Sequence, residues 1–269
     1  MIQFAPAKIN IGLKVLNKRS DFYHNLDSAF YPIPLHDIIE FVKSDTFSFA
    51  SSGLEIGDSI EQNLIVKAYN LMKVKHNIGA LKIHLHKVIP MGAGLGGGSS
   101  DASITLLTIN ELFNLGLDES VLASYAKELG ADCPFFIYQK PMRAMGIGDE
   151  FQKIDLSLKG KYILLIKPNI HISTQEAYSG VHLEGKEEEL DINALDDFKQ
   201  WKLNLPNSFE VHLFKKHSEL HTLKSELYNQ GAFYASMSGS GSSIFGLFDA
   251  EPEILKKWSR GNFVWLKQL

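Results

Sequence analysis

The sequence predicts a mixed α+β fold. Segments with the two-residue alternation of half-buried strands, such as residues 8–16 (KINIGLKVL), are interspersed with segments of helical spacing, such as residues 63–77. No internal repeat or low-complexity tract interrupts this mixture. Hydrophobic residues make up 45% and charged residues 22% of the 269 residues, which is typical of a globular protein with a sizeable core.

Each predicted element follows from its pattern and its flanking residues. Asp118 is a plausible N-cap for the helix that follows it, and Gly130 a plausible stop. Pro90 ends an alternating strand. The predicted strands are residues 8–16, 37–42, 47–51, 81–89, 134–139, 161–168, 232–237, 243–249 and 262–267. The predicted helices are residues 63–77, 99–114, 118–130, 192–202 and 208–231.

Charge and cysteine content narrow the class of protein. The formal net charge of −4 gives no general attraction to nucleic acid or anionic lipid, so neither partner is expected. The single cysteine, Cys133, excludes an intramolecular disulfide. We see no signal peptide, and the longest apolar runs fall far below the roughly 20 residues that span a bilayer. We therefore expect a cytoplasmic protein, and we place a domain boundary between residues 156 and 157.

Residues 90–103 (PMGAGLGGGSSDAS) join a predicted strand to a predicted helix through five glycines. The first N–H groups of a helix have no partner within it, and glycine lets the backbone approach a phosphate closely. This arrangement predicts an anion site. Asp101 would repel a phosphate there, so we expect its side chain to point away.

Three other interpretations of this stretch compete. A P-loop needs a lysine before its final Ser or Thr, and residues 96–101 (GGGSSD) contain none. The pattern Gly92-x-Gly94-x-x-Gly97 formally matches a dinucleotide fingerprint, but the acidic residue at the required distance, Asp118, opens a helix instead of ending a strand. A glycine turn without a ligand is the third alternative.

The stretch resembles a phosphate-binding motif of the galactokinase, homoserine kinase, mevalonate kinase and phosphomevalonate kinase superfamily. Residues 5–15 (APAKINIGLKV) resemble its N-terminal motif, and residues 236–248 (SMSGSGSSIFGLF) resemble its C-terminal glycine motif. Within the superfamily, residues 23–30 (YHNLDSAF) and 129–136 (LGADCPFF) are most similar to the kinases that act on 4-diphosphocytidyl-2-C-methyl-D-erythritol.

The resemblance implies a two-domain small-molecule kinase fold. Residues 1–156 would form an N-terminal α+β domain with a left-handed crossover, and residues 157–269 a ferredoxin-like C-terminal domain. The implied activity is ATP-dependent phosphorylation of the 2-hydroxyl of that cytidyl substrate in isoprenoid precursor synthesis, with Mg²⁺. A homoserine or mevalonate kinase-like activity and an inactive nucleotide-binding regulator remain alternatives. The protein would be a monomer or a homodimer.

Two residues are the predicted catalytic pair. Asp132 alone fits either a turn aspartate or a base that accepts a hydroxyl proton. Lys8 alone fits a solvent-facing strand lysine. The resemblance implies that Asp132 is the base and that Lys8 is its partner, which keeps the carboxylate ionised and stabilises phosphoryl charge.

The substrate-binding residues are predicted on both halves of the chain. Asn10 shares a strand face with Lys8 and is expected either to hydrogen-bond the substrate or to hold Lys8 in place. Tyr23 and His24 are the candidate residues for binding the cytosine base. Phe22 stands where the resembled kinases usually have glycine. Tyr178 fits the other face of the base, or simple core packing. The second glycine loop, Gly239, Ser240 and Gly241, fits either a cover over phosphates or a bland hairpin.

Nucleotide binding is predicted mainly for the first glycine loop. Lys87 fits a phosphate-screening residue or an exposed strand lysine, and Asn63 and Lys67 lie on a helix near the implied adenine. Ser99 or Ser100 is the predicted Mg²⁺ ligand. His84 and His86 are expected to be exposed, Cys133 a small buried residue, and the acidic run at residues 184–191 a solvated loop. The predicted nucleotide-binding set is Pro90, Met91, Gly92, Ala93, Gly94, Leu95, Gly96, Gly97, Gly98, Ser99, Ser100, Lys87 and Asn63.

Overall fold

The computed structural model describes residues 1–57, 59–183 and 188–269, so part of the acidic run at residues 184–191 lies outside the described residues. The chain divides into two compact units, and neither unit is one continuous stretch. The first unit consists of Met1–Lys8, Pro32–Met91 and Gly96–Lys140. The second unit consists of Ile9–Tyr31, Gly92–Leu95 and Pro141–Leu269.

Strands and helices are mixed along the described chain, as the sequence predicts. The strands are β1 (Ile2–Lys18), β2 (His24–Ser44), β3 (Ser48–Gly53), β4 (Ala80–Lys87), β5 (Met142–Met145), β6 (Glu150–Lys153), β7 (Tyr162–Lys167), β8 (Tyr234–Met237), β9 (Ile244–Phe248) and β10 (Phe263–Gln268). The α-helices are α1 (Leu64–His76), α2 (Gly97–Leu112), α3 (Glu119–Leu129), α4 (Cys133–Tyr138), α5 (Thr174–Ser179), α6 (Trp201–Asn204), α7 (Glu210–Lys216) and α8 (Ser218–Asn229). Short 3₁₀ helices are Ile60–Gln62, Ile192–Asp196 and Phe198–Gln200.

In the first unit, β4 pairs in parallel with β3 and antiparallel with the second half of β2. The predicted alternation of β4 is confirmed, because its odd-numbered residues are buried while Lys82, His84 and His86 are exposed. The buried face packs into a core shared with α1, α2 and α3. Asp118 caps α3 by accepting a hydrogen bond from the Val121 N–H at 3.0 Å, and Gly130 ends that helix, both as predicted.

In the second unit, a four-stranded antiparallel sheet has the order β10-β7-β9-β8. One face packs against α7 and α8 in a core that includes Leu164, Leu220 and Ile244. Leu13 and Val15 of β1 belong to the same core. A separate hairpin of β5 and β6 pairs with the first half of β2, beginning at Ser28 opposite Ala144.

Three predicted elements differ from the structure. Residues 134–139 form most of helix α4 instead of a strand, and Pro134 lies in its first turn, where proline is favoured. A short apolar run without alternation fits a buried strand and a buried helix equally well. The predicted helix at residues 192–202 is broken into 3₁₀ turns and α6, and the one at 208–231 divides at His217 into α7 and α8.

Candidate active site

The first glycine loop has the predicted strand, turn and helix order. β4 ends at Lys87 and α2 begins at Gly97, with Gly96 as its N-cap at φ 70°. That left-handed backbone conformation favours glycine. Within α2, the Ser100 N–H bonds to the Gly96 carbonyl at 2.9 Å, so the preceding N–H groups of the first turn are those a helix cannot satisfy internally. The start of α2 is therefore suited to bind an anion.

Lys8 and Asp132 lie together beside the start of α2. The Lys8 Nζ is 3.5 Å from the Asp132 Oδ2. A Cβ on Gly96 would lie 3.3 Å from the Lys8 Cγ and 2.7 Å from the Phe136 Cζ, so the lysine stem passes directly against this glycine. Burial lowers the pKa of Lys8, and the Asp132 charge acts in the opposite direction. The first unit thus brings together the predicted pair and Gly96 of the loop.

Asp132 immediately precedes α4, the helix that the structure has where a strand was predicted. Its carboxylate makes no capping hydrogen bond to that helix. Its side chain is 34% exposed, whereas that of Lys8 is 4% exposed. The acid can therefore reach a ligand while the amine stays enclosed behind it. Cys133, the next residue, is buried, and burial raises the pKa of its thiol to about 12, which excludes an accessible thiolate.

Lys87 is buried between two carboxylates, so its interpretation as an exposed strand lysine is wrong. Its Nζ lies 2.5 Å from the Asp37 Oδ2 and 2.7 Å from the Asp101 Oδ2. The second oxygen of Asp37 accepts from the N–H groups of Val88 and Ile89 at 2.6 and 2.8 Å. Burial raises the pKa of Asp101 to about 7, while Lys87 opposes that change. This cluster ties β2 and the end of β4 to the second turn of α2.

The buried cluster also explains the orientation of the Asp101 side chain. Its carboxylate is directed to Lys87, in keeping with the expectation that it points away from a bound phosphate. Sequence reasoning missed Asp37 altogether. The parity of β4 was an available signal, since Lys87 follows Leu81, Ile83 and Leu85 on the buried face.

The two predicted Mg²⁺ ligands have different surroundings. Ser100 is fully buried, and its Oγ has no hydrogen-bond partner within the described residues. Ser99 keeps partial exposure at the start of α2. No group of three His, Cys, Asp or Glu side chains suited to a metal ion occurs in the described parts of the chain. Ser99 thus fits a cation held mainly by phosphate and water oxygens better than Ser100 does.

Asn63 and Lys67 lie at the start of α1. Asn63 is the N-cap, and its side-chain oxygen accepts from the Ile65 N–H at 2.9 Å. Lys67 is exposed one turn further along. Asn63 therefore has a structural role, and its predicted contact with the nucleotide stays a prediction.

In the second unit, the second glycine loop packs against Ala93 and Gly94, which belong to the first glycine loop. The Ser238 Oγ donates to the Gly94 carbonyl at 2.8 Å, and the Ser243 N–H donates to the Ala93 carbonyl at 3.3 Å. Gly94 has φ +73°, and a Cβ there would overlap the Ser238 carbonyl oxygen. The second glycine loop is the turn between β8 and β9, and unlike a simple hairpin turn it is hydrogen-bonded to the first glycine loop.

The predicted readers of the base are partly assembled in the second unit. The rings of His24 and Tyr178 are stacked, with centroids 4.9 Å apart and an interplanar angle of 22°. Tyr178 also meets the buried Phe209 edge to face at 4.9 Å, so it both packs on the core and presents a face. Tyr23 is 61% exposed. Phe22 adopts φ 68°, a left-handed conformation that explains why glycine suits this position.

Comparison with known proteins identifies the family. The model of the GHMP kinases N terminal domain matches residues 63–140, and that of the GHMP kinases C terminal matches residues 187–263. The chain belongs to the GHMP kinase family. The predicted α+β two-domain kinase fold is thereby confirmed. The predicted boundary at residues 156 and 157 falls between the two matched segments and stays a prediction.

Individual relatives of this GHMP kinase match over nearly the whole chain. A 4-diphosphocytidyl-2-C-methyl-D-erythritol kinase from Parabacteroides distasonis is 45% identical over 271 residues, covering 100% of both chains. One from Bacteroides thetaiotaomicron is 48% identical over 255 residues, covering 93% of each.

One solved structure agrees with this family assignment, and a more distant one has the same fold. The crystal structure of a 4-(cytidine 5'-diphospho)-2C-methyl-D-erythritol kinase is 30% identical, with a TM-score of 0.83, and the match covers 99% of this chain and 98% of that one. A homoserine kinase from Cytophaga hutchinsonii, at 17% identity and a TM-score of 0.70 over 98% of this chain and 93% of that one, shares the fold. Among the described residues, no helix has the length and apolar character to span a bilayer.

Proposed function

We propose that this protein transfers the γ-phosphoryl group of ATP to the 2-hydroxyl of 4-diphosphocytidyl-2-C-methyl-D-erythritol, a step of the non-mevalonate isoprenoid pathway. Relatives at 45% and 48% identity, matched over 100% and 93% of this chain, carry the name of that kinase. The geometric observation that carries the proposal is the Lys8–Asp132 pair, 3.5 Å apart and packed against Gly96 at the start of α2.

Asp132 is the proposed general base. Its partly exposed carboxylate accepts the proton of the substrate hydroxyl as the hydroxyl oxygen attacks the γ-phosphorus and ADP leaves. Lys8 lies beside this carboxylate and would add positive charge beside the transferring phosphoryl group. The two groups need no large movement to cooperate, since both lie at the N-terminal end of α2.

The first glycine loop is the proposed phosphate site. The N–H groups at the start of α2, which have no partner within the helix, and the partial positive charge of the helix end favour the anionic tail of ATP. Ser99 is the proposed protein ligand of Mg²⁺, which would neutralise phosphate charge when bound. Asn63 is proposed to lie near the adenine.

The remaining predicted residues are proposed to hold the acceptor substrate. Tyr23, His24 and Tyr178 present aromatic faces of a kind that stacks on a pyrimidine base. Because His24 and Tyr178 stack on each other, a base that entered between them would have to separate the two rings. Asn10 and the loop of Gly239, Ser240 and Gly241 are proposed to bind the polyol diphosphate. We also propose that the protein is cytoplasmic, that it is a monomer or a homodimer, and that it does not bind nucleic acid.

The test is a coupled assay of ADP release with ATP, Mg²⁺ and the cytidyl substrate, with product identified by mass. Lys8→Ala and Asp132→Ala are expected to lower kcat by at least about 100-fold, the usual contribution of acid–base groups, while nucleotide still binds. Lys14→Ala, on the same strand as Lys8, and Asp118→Ala, at the N-cap of α3, are the matched controls and should keep kcat.

Two outcomes would reject the proposal. Turnover of homoserine or mevalonate without turnover of the cytidyl substrate would assign a different acceptor. Nucleotide binding without turnover of any alcohol in the panel would instead indicate an inactive regulator. Full activity of Asp132→Ala would leave the substrate assignment intact and remove the assignment of the base.

A further inference from the structure

Gly12 of β1 has a backbone that is fixed from several sides. Its φ of +65° is left-handed, and a Cβ there would lie 2.8 Å from the Leu190 Cδ1 and 3.3 Å from the Leu205 Cβ. Its N–H donates to the Tyr234 hydroxyl at 2.9 Å, and that hydroxyl donates to the Leu205 carbonyl at 2.8 Å. The direction of the Gly12 carbonyl is therefore set by contacts that do not involve any predicted substrate residue.

Ser28 of β2 donates its only hydroxyl proton to that carbonyl. The distance from the Ser28 Oγ to the Gly12 oxygen is 2.6 Å, and Ser28 is fully buried. A carbonyl oxygen has no proton to give, so in this pair the serine must be the donor. The Ser28 oxygen can then offer only its lone pairs to any other neighbour.

Asn10 is that neighbour, and the proton count fixes the orientation of its amide. Its nitrogen Nδ2 lies 2.9 Å from the Ser28 Oγ. Because the Ser28 hydroxyl proton is already donated to the Gly12 carbonyl, the Ser28 oxygen can only accept here, and only the nitrogen end of the amide can donate to it. The oxygen Oδ1 consequently faces the opposite way, where it lies 3.3 Å from the position of a Cβ on Gly239. Gly239 itself is held by the Asn207 Nδ2, which donates to its carbonyl at 2.9 Å.

We propose that Ser28 is a positioning residue for the acceptor substrate: it fixes the Asn10 amide with its oxygen towards the second glycine loop, where that oxygen accepts from a substrate hydroxyl. An amide oxygen has two lone pairs, so one further hydrogen bond within the protein leaves capacity for the substrate. An acceptor at this place favours the hydroxyl of a polyol, which can donate a proton. It disfavours a carboxylate or phosphate oxygen, because two acceptor oxygens without a proton between them repel each other. The inference rests on the proposed function.

Steady-state kinetics of Ser28→Ala test the inference. Without the serine, the amide can turn its nitrogen towards the substrate side, so the KM of the cytidyl substrate should rise about tenfold, the effect of one neutral hydrogen bond. The KM of ATP should change less than about twofold. Ser28→Thr, which keeps the hydroxyl, should restore the wild-type KM. Thr108→Val is the matched control, because it removes a buried hydroxyl that donates to the Ile104 carbonyl at 2.7 Å within α2.

A second readout does not depend on activity. The side-chain amide protons of Asn10, assigned by their loss in Asn10→Asp, should exchange with solvent slowly in the wild type and at least about tenfold faster in Ser28→Ala. Should Ser28→Thr fail to fold, this comparison decides between the outcomes.

Three results would overturn the inference: an unchanged KM for the acceptor in Ser28→Ala, equal changes in the KM of both substrates, or unchanged exchange of the Asn10 amide. If the wild type does not phosphorylate the cytidyl substrate, the proposed function fails. The exchange measurement then still shows whether Ser28 orients Asn10.

Discussion

Gly94 lies where the two glycine loops touch in the second unit, and its replacement by alanine is the sharpest test of that contact. The backbone at Gly94 has φ +73°, and a Cβ would overlap the Ser238 carbonyl oxygen and lie 2.8 Å from its carbonyl carbon. Both atoms belong to the main chain, so no side-chain rotation can relieve the overlap. One of the two loops has to shift.

The expected loss of stability is a sum of three effects. A left-handed conformation costs a non-glycine residue about 1.5 kcal/mol. Overpacking that moves the backbone adds about 2 kcal/mol. The smaller conformational freedom of unfolded alanine returns about 0.7 kcal/mol. Gly94→Ala should therefore lower the free energy of unfolding by about 3 kcal/mol.

Gly116 provides the matched control. It has φ +67°, but a Cβ there would have no neighbour within 4 Å. Gly116→Ala should thus cost about 1 kcal/mol, from the backbone alone. Urea unfolding at 25 °C, followed by circular dichroism with a common m-value, measures both variants. A difference of about 2 kcal/mol between them isolates the packing of Gly94 on Ser238. Equal losses in the two variants would refute the contact.

Three further substitutions or measurements have defined outcomes. Asp37→Asn removes the charge-assisted hydrogen bond from Lys87 and weakens those from the Val88 and Ile89 N–H groups, so urea unfolding should show a loss of about 2 kcal/mol, whereas a loss below about 0.5 kcal/mol would contradict the buried geometry. Phe22→Gly should keep or slightly raise the thermal midpoint because it relieves the φ of 68°, while the β-branched Phe22→Val should lower stability by about 1 kcal/mol; the reverse order would exclude a left-handed Phe22. The Cys133 thiol, whose pKa burial raises to about 12, should react with a disulfide reagent at pH 8 only after unfolding, and fast native labelling would show that it is accessible.

Much of the secondary structure and of the candidate site could be predicted from local pattern. The alternation in β4 and the caps of α3 are local signals, and the structure contains both elements as predicted. The glycine loop was recognisable because its composition has a direct physical purpose at a helix start. The proximity of Lys8 to Asp132, by contrast, was implied only by the family resemblance, since no local rule joins two residues separated by 123 intervening positions.

The errors and omissions have two physical sources. The prediction of a strand at residues 134–139 was wrong because a short apolar run fits either a buried strand or a buried helix. Pro134, which is favoured in the first turn of a helix, was the local signal for the helix. The Asp37–Lys87–Asp101 cluster was missed because its members are distant in the chain and charged residues are normally exposed. The orientation of Asn10 required a proton count over three residues in contact, which no sequence pattern contains.

The discontinuous composition of the second unit limits how this enzyme can be dissected. A recombinant fragment of residues 157–269 would lack Ile9–Tyr31, and with it Leu13 and Val15, which fill the same core as Leu164 and Ile244. Such a fragment would leave apolar cavities and should be expressed as an insoluble or molten product. Modular exchange between related kinases would therefore have to transfer the N-terminal strand segments together with the C-terminal half, as one split cassette.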